Sequence, residues 1–174
     1  MGLEYLIKRF EHTAGSIERL ARGVAEEQAR WKPTPEEWSL LEVVCHLHDE
    51  ERRDFRPRIQ STLKDPETPW EGFDPEGLVT ENRYNEQDLD EVIDNFLDER
   101  GDSLAWLRAQ SDLDWNATYQ HPRLGPLTVG GIMGSWLAHD CLHLRQLAHL
   151  HYQWLAREFA PHTLDYAGPW GEKP

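Results

Sequence analysis

The chain has 174 residues, a length that fits one domain able to bury a core without disulfides. It carries 18 Lys and Arg residues against 32 Asp and Glu residues, and the resulting net charge of −14 argues against DNA or RNA as a partner. The two cysteines, Cys45 and Cys141, cannot form a disulfide framework, which favours a cytoplasmic protein. The first residues, MGLEYLIKRFEH, carry charges where a signal peptide needs an apolar run, and no run of about 18 apolar residues could span a membrane, so we expect no membrane partner.

The first half of the chain predicts two helices, because apolar side chains recur there every three or four residues. The first helix covers about 4–24. The second begins after Ser39, which forms a capping-box pattern with Glu42, and runs to about residue 63. Pro57 predicts a kink within this second helix.

The second half predicts two more helices after a long connection, 65–87, of the kind that is usually functional or a crossover. Helix three covers about 88–110, and helix four runs over 129–156 with Thr128 as its N-cap. No segment shows sustained alternation typical of a β-strand, and the tail after residue 156 is irregular. We therefore predict an all-α, single-domain protein over 1–174, a four-helix bundle with a long crossover between helices 2 and 3.

Polar side chains occupy the apolar face of helix four. On a helical wheel with about 100° per residue, His139, His143 and Gln146 share one face with Ile132 and Trp136. Two histidines four residues apart can both reach one cation. The alternative is two separately hydrogen-bonded core histidines. The glutamate of an HExxH metalloprotease motif is absent, which argues against that class.

A bundle metal site needs further ligands from a facing helix, and helix two offers His46 and His48. The helical wheel alone does not choose between them. Cys45 is a candidate ligand, although a small buried thiol is the more ordinary interpretation. Asp49 and Glu50 are candidates for a general base, or belong to an acidic helix surface.

Arg100 interrupts the apolar stripe of helix three formed by Leu89, Phe96 and Leu107. A buried guanidinium must be paired. We therefore expect Arg100 either to pair with an internal carboxylate such as Glu50, or to face a cavity and bind an anionic group of the substrate.

Three stretches together resemble the DinB/YfiT superfamily of metal-dependent enzymes: RWKPTPEEWSLLEVVCHLHDEE, RYNEQDLDEVIDNFLDER and GPLTVGGIMGSWLAHDCLHLRQL. The resemblance implies a four-helix bundle, commonly a homodimer, that binds a divalent ion such as zinc or nickel. It selects His46, eight positions after Trp38, as the ligand from helix two. The other implied ligands are His139 and His143.

The resemblance also implies a small-molecule substrate. Our first hypothesis is a transferase that activates a low-molecular-weight thiol, such as bacillithiol, mycothiol or glutathione, for attack on a small electrophile. The second is a hydrolase that uses metal-bound hydroxide, with Glu50 or Asp49 as proton shuttle. A third is a non-catalytic metal-binding stress protein. In each case we expect Gln146 and Asp140 near the ligating imidazoles, as partners of their second ring nitrogens.

Overall fold

Helices make up most of the protein in a computed structural model that describes residues 2–171, and the predicted all-α fold is confirmed. In chain order the elements are α1 (Leu3–Ala21), α2 (Glu26–Arg30), α3 (Leu40–Glu50), a π-helical turn (Glu51–Phe55), α4 (Arg56–Lys64), α5 (Pro75–Glu81), a 3-10 turn (Tyr84–Glu86), α6 (Leu89–Arg108), β1 (Thr118–His121), β2 (Gly125–Thr128), α7 (Val129–Glu158) and a second 3-10 turn (Asp165–Ala167). None of the helices among these residues is both long and apolar enough to cross a membrane.

Side-chain caps explain where the long helices begin. The predicted capping box is present, because the Glu42 amide donates to Ser39 Oγ over 3.1 Å and the Ser39 amide donates to Glu42 Oε2 over 2.7 Å. Thr128 caps α7 by accepting a hydrogen bond from the Gly131 amide, and Asp88 caps α6 in the same way.

The second predicted helix is one helical rod over 40–64, and its irregularity is the π-helical turn Glu51–Phe55, which ends two residues before Pro57. A widened turn fits this position, because proline has no amide hydrogen and its ring clashes with the carbonyl four residues earlier. Three acidic side chains at the turn are buried: Glu50, Glu51 and Asp54. The turn therefore brings carboxyl groups into the interior of the bundle.

The prediction of a chain without strands was wrong for 118–128, which forms an antiparallel hairpin. Each strand has only four residues, which is too short for alternation to be recognised in the sequence. Thr118 pairs with Thr128 at the open end, and Gly125 after the turn has a φ of +75°, which favours glycine. The short α2 and α5 were also missed, since neither exceeds seven residues.

Two apolar clusters fill the bundle, and polar side chains lie between them along each long helical segment. One cluster contains the C-terminal half of α1, α3, the first part of α6 and the C-terminal part of α7. The other contains the opposite ends of α1, α6 and α7 together with α4. The buried polar residues of this middle layer include Thr13, His46, Glu50, Glu51, Arg100 and Asp140.

Candidate metal centre

Three histidines from two helices converge in the polar layer. His46 comes from α3, and His139 and His143 come from successive turns of α7. Their Nε2 atoms are close: 3.2 Å separates His46 from His139, and 3.1 Å separates His139 from His143. Nitrogens bound to one tetrahedral zinc ion at about 2.05 Å would stand about 3.3 Å apart. The three imidazoles therefore fit a single divalent ion.

Burial keeps these imidazoles neutral. Together with the neighbouring histidines, burial lowers the pKa of His46 to about 2 and that of His139 to about 4. The pKa of His143 is also lowered, mainly by burial. Metal ligation requires the unprotonated ring, so each Nε2 lone pair is available at neutral pH.

The Nδ1 atoms of His143 and His46 have different surroundings. Gln146 Oε1 accepts a hydrogen bond from His143 Nδ1 over 2.8 Å, which directs the lone pair to Nε2, so Gln146 lies where it was expected. His46 Nδ1 is buried without a hydrogen-bond partner among the described residues. The Trp38 ring packs against the His46 imidazole, with 4.8 Å between the ring centroids. Packing rather than hydrogen bonding therefore orients His46.

Glu50 is the carboxyl group that reaches the three-histidine centre, with Oε1 3.7 Å from His46 Nε2. Burial, together with the negative charge of nearby Asp54, raises the pKa of Glu50 to about 8. Asp54 in turn lies 2.5 Å from the Arg58 guanidinium. Glu50 therefore lies beside the ligands with a raised pKa.

The structure does not bring Asp49 to the centre. Asp49 accepts hydrogen bonds from the Tyr84 hydroxyl, from Asn82 Nδ2 over 3.2 Å and from Arg52 Nε over 2.9 Å. Neighbouring side chains on a helix diverge by about 100°, so Asp49 and Glu50 face different surroundings. His48 and Asp49 line a separate pocket that contains none of the three histidines.

Of the two roles predicted for Arg100, the structure shows the internal ion pair, which corrects the alternative that Arg100 faces a cavity and binds substrate. It is 2% exposed and donates to Glu51 over 2.7 and 2.9 Å and to Asp140 over 2.9 and 3.0 Å, rather than to Glu50. Asp140 also accepts a 2.5 Å hydrogen bond from Thr13. Asp140 is therefore occupied by Arg100 and is not an acceptor for a ligating imidazole.

This buried ion network is nevertheless connected to the centre through the backbone. Glu51 directly follows Glu50, and Asp140 directly follows His139. By binding both carboxylates, Arg100 ties the end of α3 to the middle of α7 next to the histidines. Sequence reasoning missed Glu51, because no helical wheel accounts for the extra residue that a π-helical turn inserts.

Two cavities flank the centre along α7. One of about 320 Å³ is lined mainly by apolar side chains of the π-helical turn, the hairpin and the start of α7, and we call it the apolar cavity. The other, of about 460 Å³, is lined by His143, Gln146, Arg145, His149 and Trp170, and we call it the polar cavity. The volumes suit small molecules.

Comparisons with known proteins agree with this geometry. The fold is similar to that of YfiT from Bacillus subtilis, described as a probable metal-dependent hydrolase with an unusual four-helix bundle topology; the TM-score is 0.76 at 16% identity, over 90% of this chain and 86% of that chain. A search of curated proteins finds no match. Residues 9–147, which include all three converging histidines, match the DinB superfamily. The resemblance seen in the sequence is thus confirmed, and the chain belongs to the DinB superfamily.

Proposed function

We propose that the protein is a metal-dependent hydrolase of a small molecule, in which His46, His139 and His143 hold a divalent ion. The observation that carries this proposal is the convergence of three neutral imidazoles, each with a ring nitrogen within 4.8 Å of those of the other two. Three neutral ligands would leave a bound ion its full charge and room for a further ligand, the pattern of catalytic sites. When bound, such an ion lowers the pKa of a water or thiol bound to it. The description of YfiT as a probable hydrolase supports the same reaction class.

Glu50 is the proposed general base. Its Oε1 atom lies 3.7 Å from His46 Nε2, so a water held at the centre is within reach of this carboxyl group. The positive charge of a divalent ion at the centre would lower the pKa of Glu50 from its metal-free value of about 8 and favour the ionised form that a base requires. Glu50 would accept the proton of the attacking water and return it to the leaving group.

A thiol transferase is the second candidate, and the polar cavity favours it. His143 and Gln146 form part of its wall, so a second substrate bound there would lie beside the centre. Arg145 and His149 suit the polar and anionic groups of a low-molecular-weight thiol such as glutathione or bacillithiol. Two cavities next to one centre also support an enzyme over a protein in which the ion is purely structural.

Metal content tests the ligand set first. His46→Ala, His139→Ala and His143→Ala should each lose bound zinc or nickel after dialysis while keeping most of the helical circular dichroism signal. His48→Ala is the matched control on the same helix and should keep the metal. Stoichiometric metal in all three ligand variants would show that the assignment is wrong.

Activity then separates the two reactions. A hydrolase should cleave an activated ester with zinc and without added thiol, and Glu50→Gln should bind zinc yet lose about 100-fold or more in kcat. A transferase should instead conjugate glutathione or bacillithiol to a test electrophile such as 1-chloro-2,4-dinitrobenzene. Metal-dependent conjugation without ester hydrolysis would replace the first proposal with the second.

A further inference from the structure

The apolar cavity lies on the side of the centre towards the N-terminus of α7. Its walls include Phe55 from the π-helical turn, Trp70 from the connection after α4, Leu127 from β2 and Ile132 from α7. Ser135, also in the wall, stands one helical turn before His139. The cavity is therefore built from four separate segments that meet beside a metal ligand.

Direct contacts connect this cavity to the reaction centre. The Phe55 ring lines the cavity and meets the His139 imidazole edge-on, with 5.3 Å between the ring centroids. Asp54 also lines the cavity and follows Glu50, the carboxyl group nearest the ligands, by four residues on the same helical rod. A molecule in the cavity would thus be separated from the ligand His139 only by the Phe55 ring.

Two of the walls are aromatic rings that neighbouring residues hold in place. Phe55 stacks on Trp136 at an angle of 4°, in addition to its contact with His139. Trp70 stacks on Tyr119 with 3.9 Å between centroids, and its indole nitrogen donates to Thr62 over 3.2 Å. Fixed flat surfaces favour a flat ligand, which gains contact area and ring–ring interaction without ordering the wall.

The charges around the cavity favour an uncharged ligand. Arg58 is the cation in the wall, and its guanidinium lies 2.5 Å from Asp54 and 5.0 Å from the centre of the Trp70 ring. Its charge is therefore already compensated within the protein. A carboxylate ligand would have to compete with Asp54, whereas a neutral ring meets mostly apolar side chains.

We propose that the apolar cavity binds an uncharged aryl group of the substrate, so that the preferred substrates are neutral aryl esters or similar aryl compounds. This inference rests on the proposed function for the reaction, but the binding itself does not depend on catalysis. The cavity would place the aryl group beside His139 and the bond to be cleaved at the centre.

Binding to the full-length chain tests the cavity separately from the reaction. The probes are 2-naphthol and its saturated analogue decahydro-2-naphthol, titrated calorimetrically with and without zinc. We expect 2-naphthol to bind more tightly, and Leu127→Trp, which fills the cavity, to weaken its binding about tenfold or more. Leu155→Trp is the matched control, because Leu155 is 47% exposed and lies outside the cavity near the end of α7. This control should bind 2-naphthol like the unchanged protein.

A second variant tests the cavity without altering the hairpin, in which Leu127 lies. Ser135→Trp fills the cavity from the exposed face of α7 and should weaken 2-naphthol binding to a similar degree. Equal affinity for the two probes, or unchanged affinity in Ser135→Trp and in a folded Leu127→Trp, would overturn the proposal.

Kinetics with zinc complete the test. We expect kcat/KM for 2-naphthyl acetate to exceed that for ethyl acetate by more than their ratio of intrinsic reactivities. Leu127→Trp should abolish this preference for the aryl ester by raising the KM for 2-naphthyl acetate. If 2-naphthol binds in the cavity and no ester is hydrolysed, the proposed reaction fails and the binding site stands. If esters are hydrolysed without any excess for the aryl ester, the cavity assignment fails and the reaction stands.

Discussion

Replacing Arg100 with methionine should destabilise the protein strongly. The guanidinium makes four hydrogen bonds to Glu51 and Asp140, both of which are 1% exposed. After the replacement each carboxylate keeps one neutral donor, Trp136 Nε1 at 3.0 Å for Glu51 and Thr13 Oγ1 at 2.5 Å for Asp140. Neither donor carries the positive charge that balances two buried carboxylates.

Breaking a buried ion pair by removing one partner costs about 3–5 kcal/mol. For a chain of 174 residues a loss of about 4 kcal/mol corresponds to a fall in Tm of about 10 °C. Arg108→Met is the matched control on the same helix. Arg108 pairs with Glu11 at the surface, where both side chains are more than 40% exposed, and such a pair contributes about 0–1 kcal/mol.

Urea denaturation of the metal-free proteins at pH 7 measures both free energies of unfolding. Adding Glu51→Gln and Asp140→Asn to Arg100→Met should restore part of the lost stability, because the uncompensated charges are then removed. Cobalt affinity of Arg100→Met should also fall about tenfold or more, since Asp140 is adjacent to His139. A loss no larger than that of Arg108→Met would refute the assignment of Arg100 as the tie between α3 and α7.

Three further outcomes are expected. Gln146→Leu removes the acceptor of His143 Nδ1 and should weaken cobalt binding about 10- to 100-fold with little change in helix content. Burial raises the pKa of Cys45 to about 12, whereas Cys141 is exposed, so a chromogenic disulfide should titrate one thiol in the native protein at pH 8 and two in guanidinium. The pKa of His139 is about 4 when folded and 6.5 when unfolded, so the unfolded chain binds more protons between these values. The free energy of unfolding of the metal-free protein should therefore fall as pH drops from about 6.5 to 4, and fall less in His139→Gln.

Positions within a single helix could be predicted well. The capping box at Ser39 and the N-cap at Thr128 are both present, and the predicted starts of the second and fourth helices agree with the structure. The wheel of helix four brought His139, His143 and Gln146 to one face, and the structure places these side chains in contact. Such predictions hold because helix geometry relates residues three and four apart whatever surrounds them.

Relations between elements could not be predicted in this way. The choice of His46 over His48 came from the family resemblance, and it agrees with the rotation that packing gives α3 towards α7. Glu50 rather than Asp49 reaches the centre for the same reason, and the π-helical turn then directs Glu51 to Arg100. A helical wheel leaves the rotation of each rod about its own axis undetermined.

By itself, the sequence determined where the long helical segments lie and which face of α7 carries His139, His143 and Gln146 among apolar residues. The tertiary structure alone decided that Arg100 is an internal counter-ion, that 118–128 forms a hairpin, and that two cavities of different chemistry flank the histidines. The reason is one of range: helical periodicity acts over a few residues, whereas ion pairs and cavity walls join side chains that lie tens of residues apart and meet only after the rods have packed.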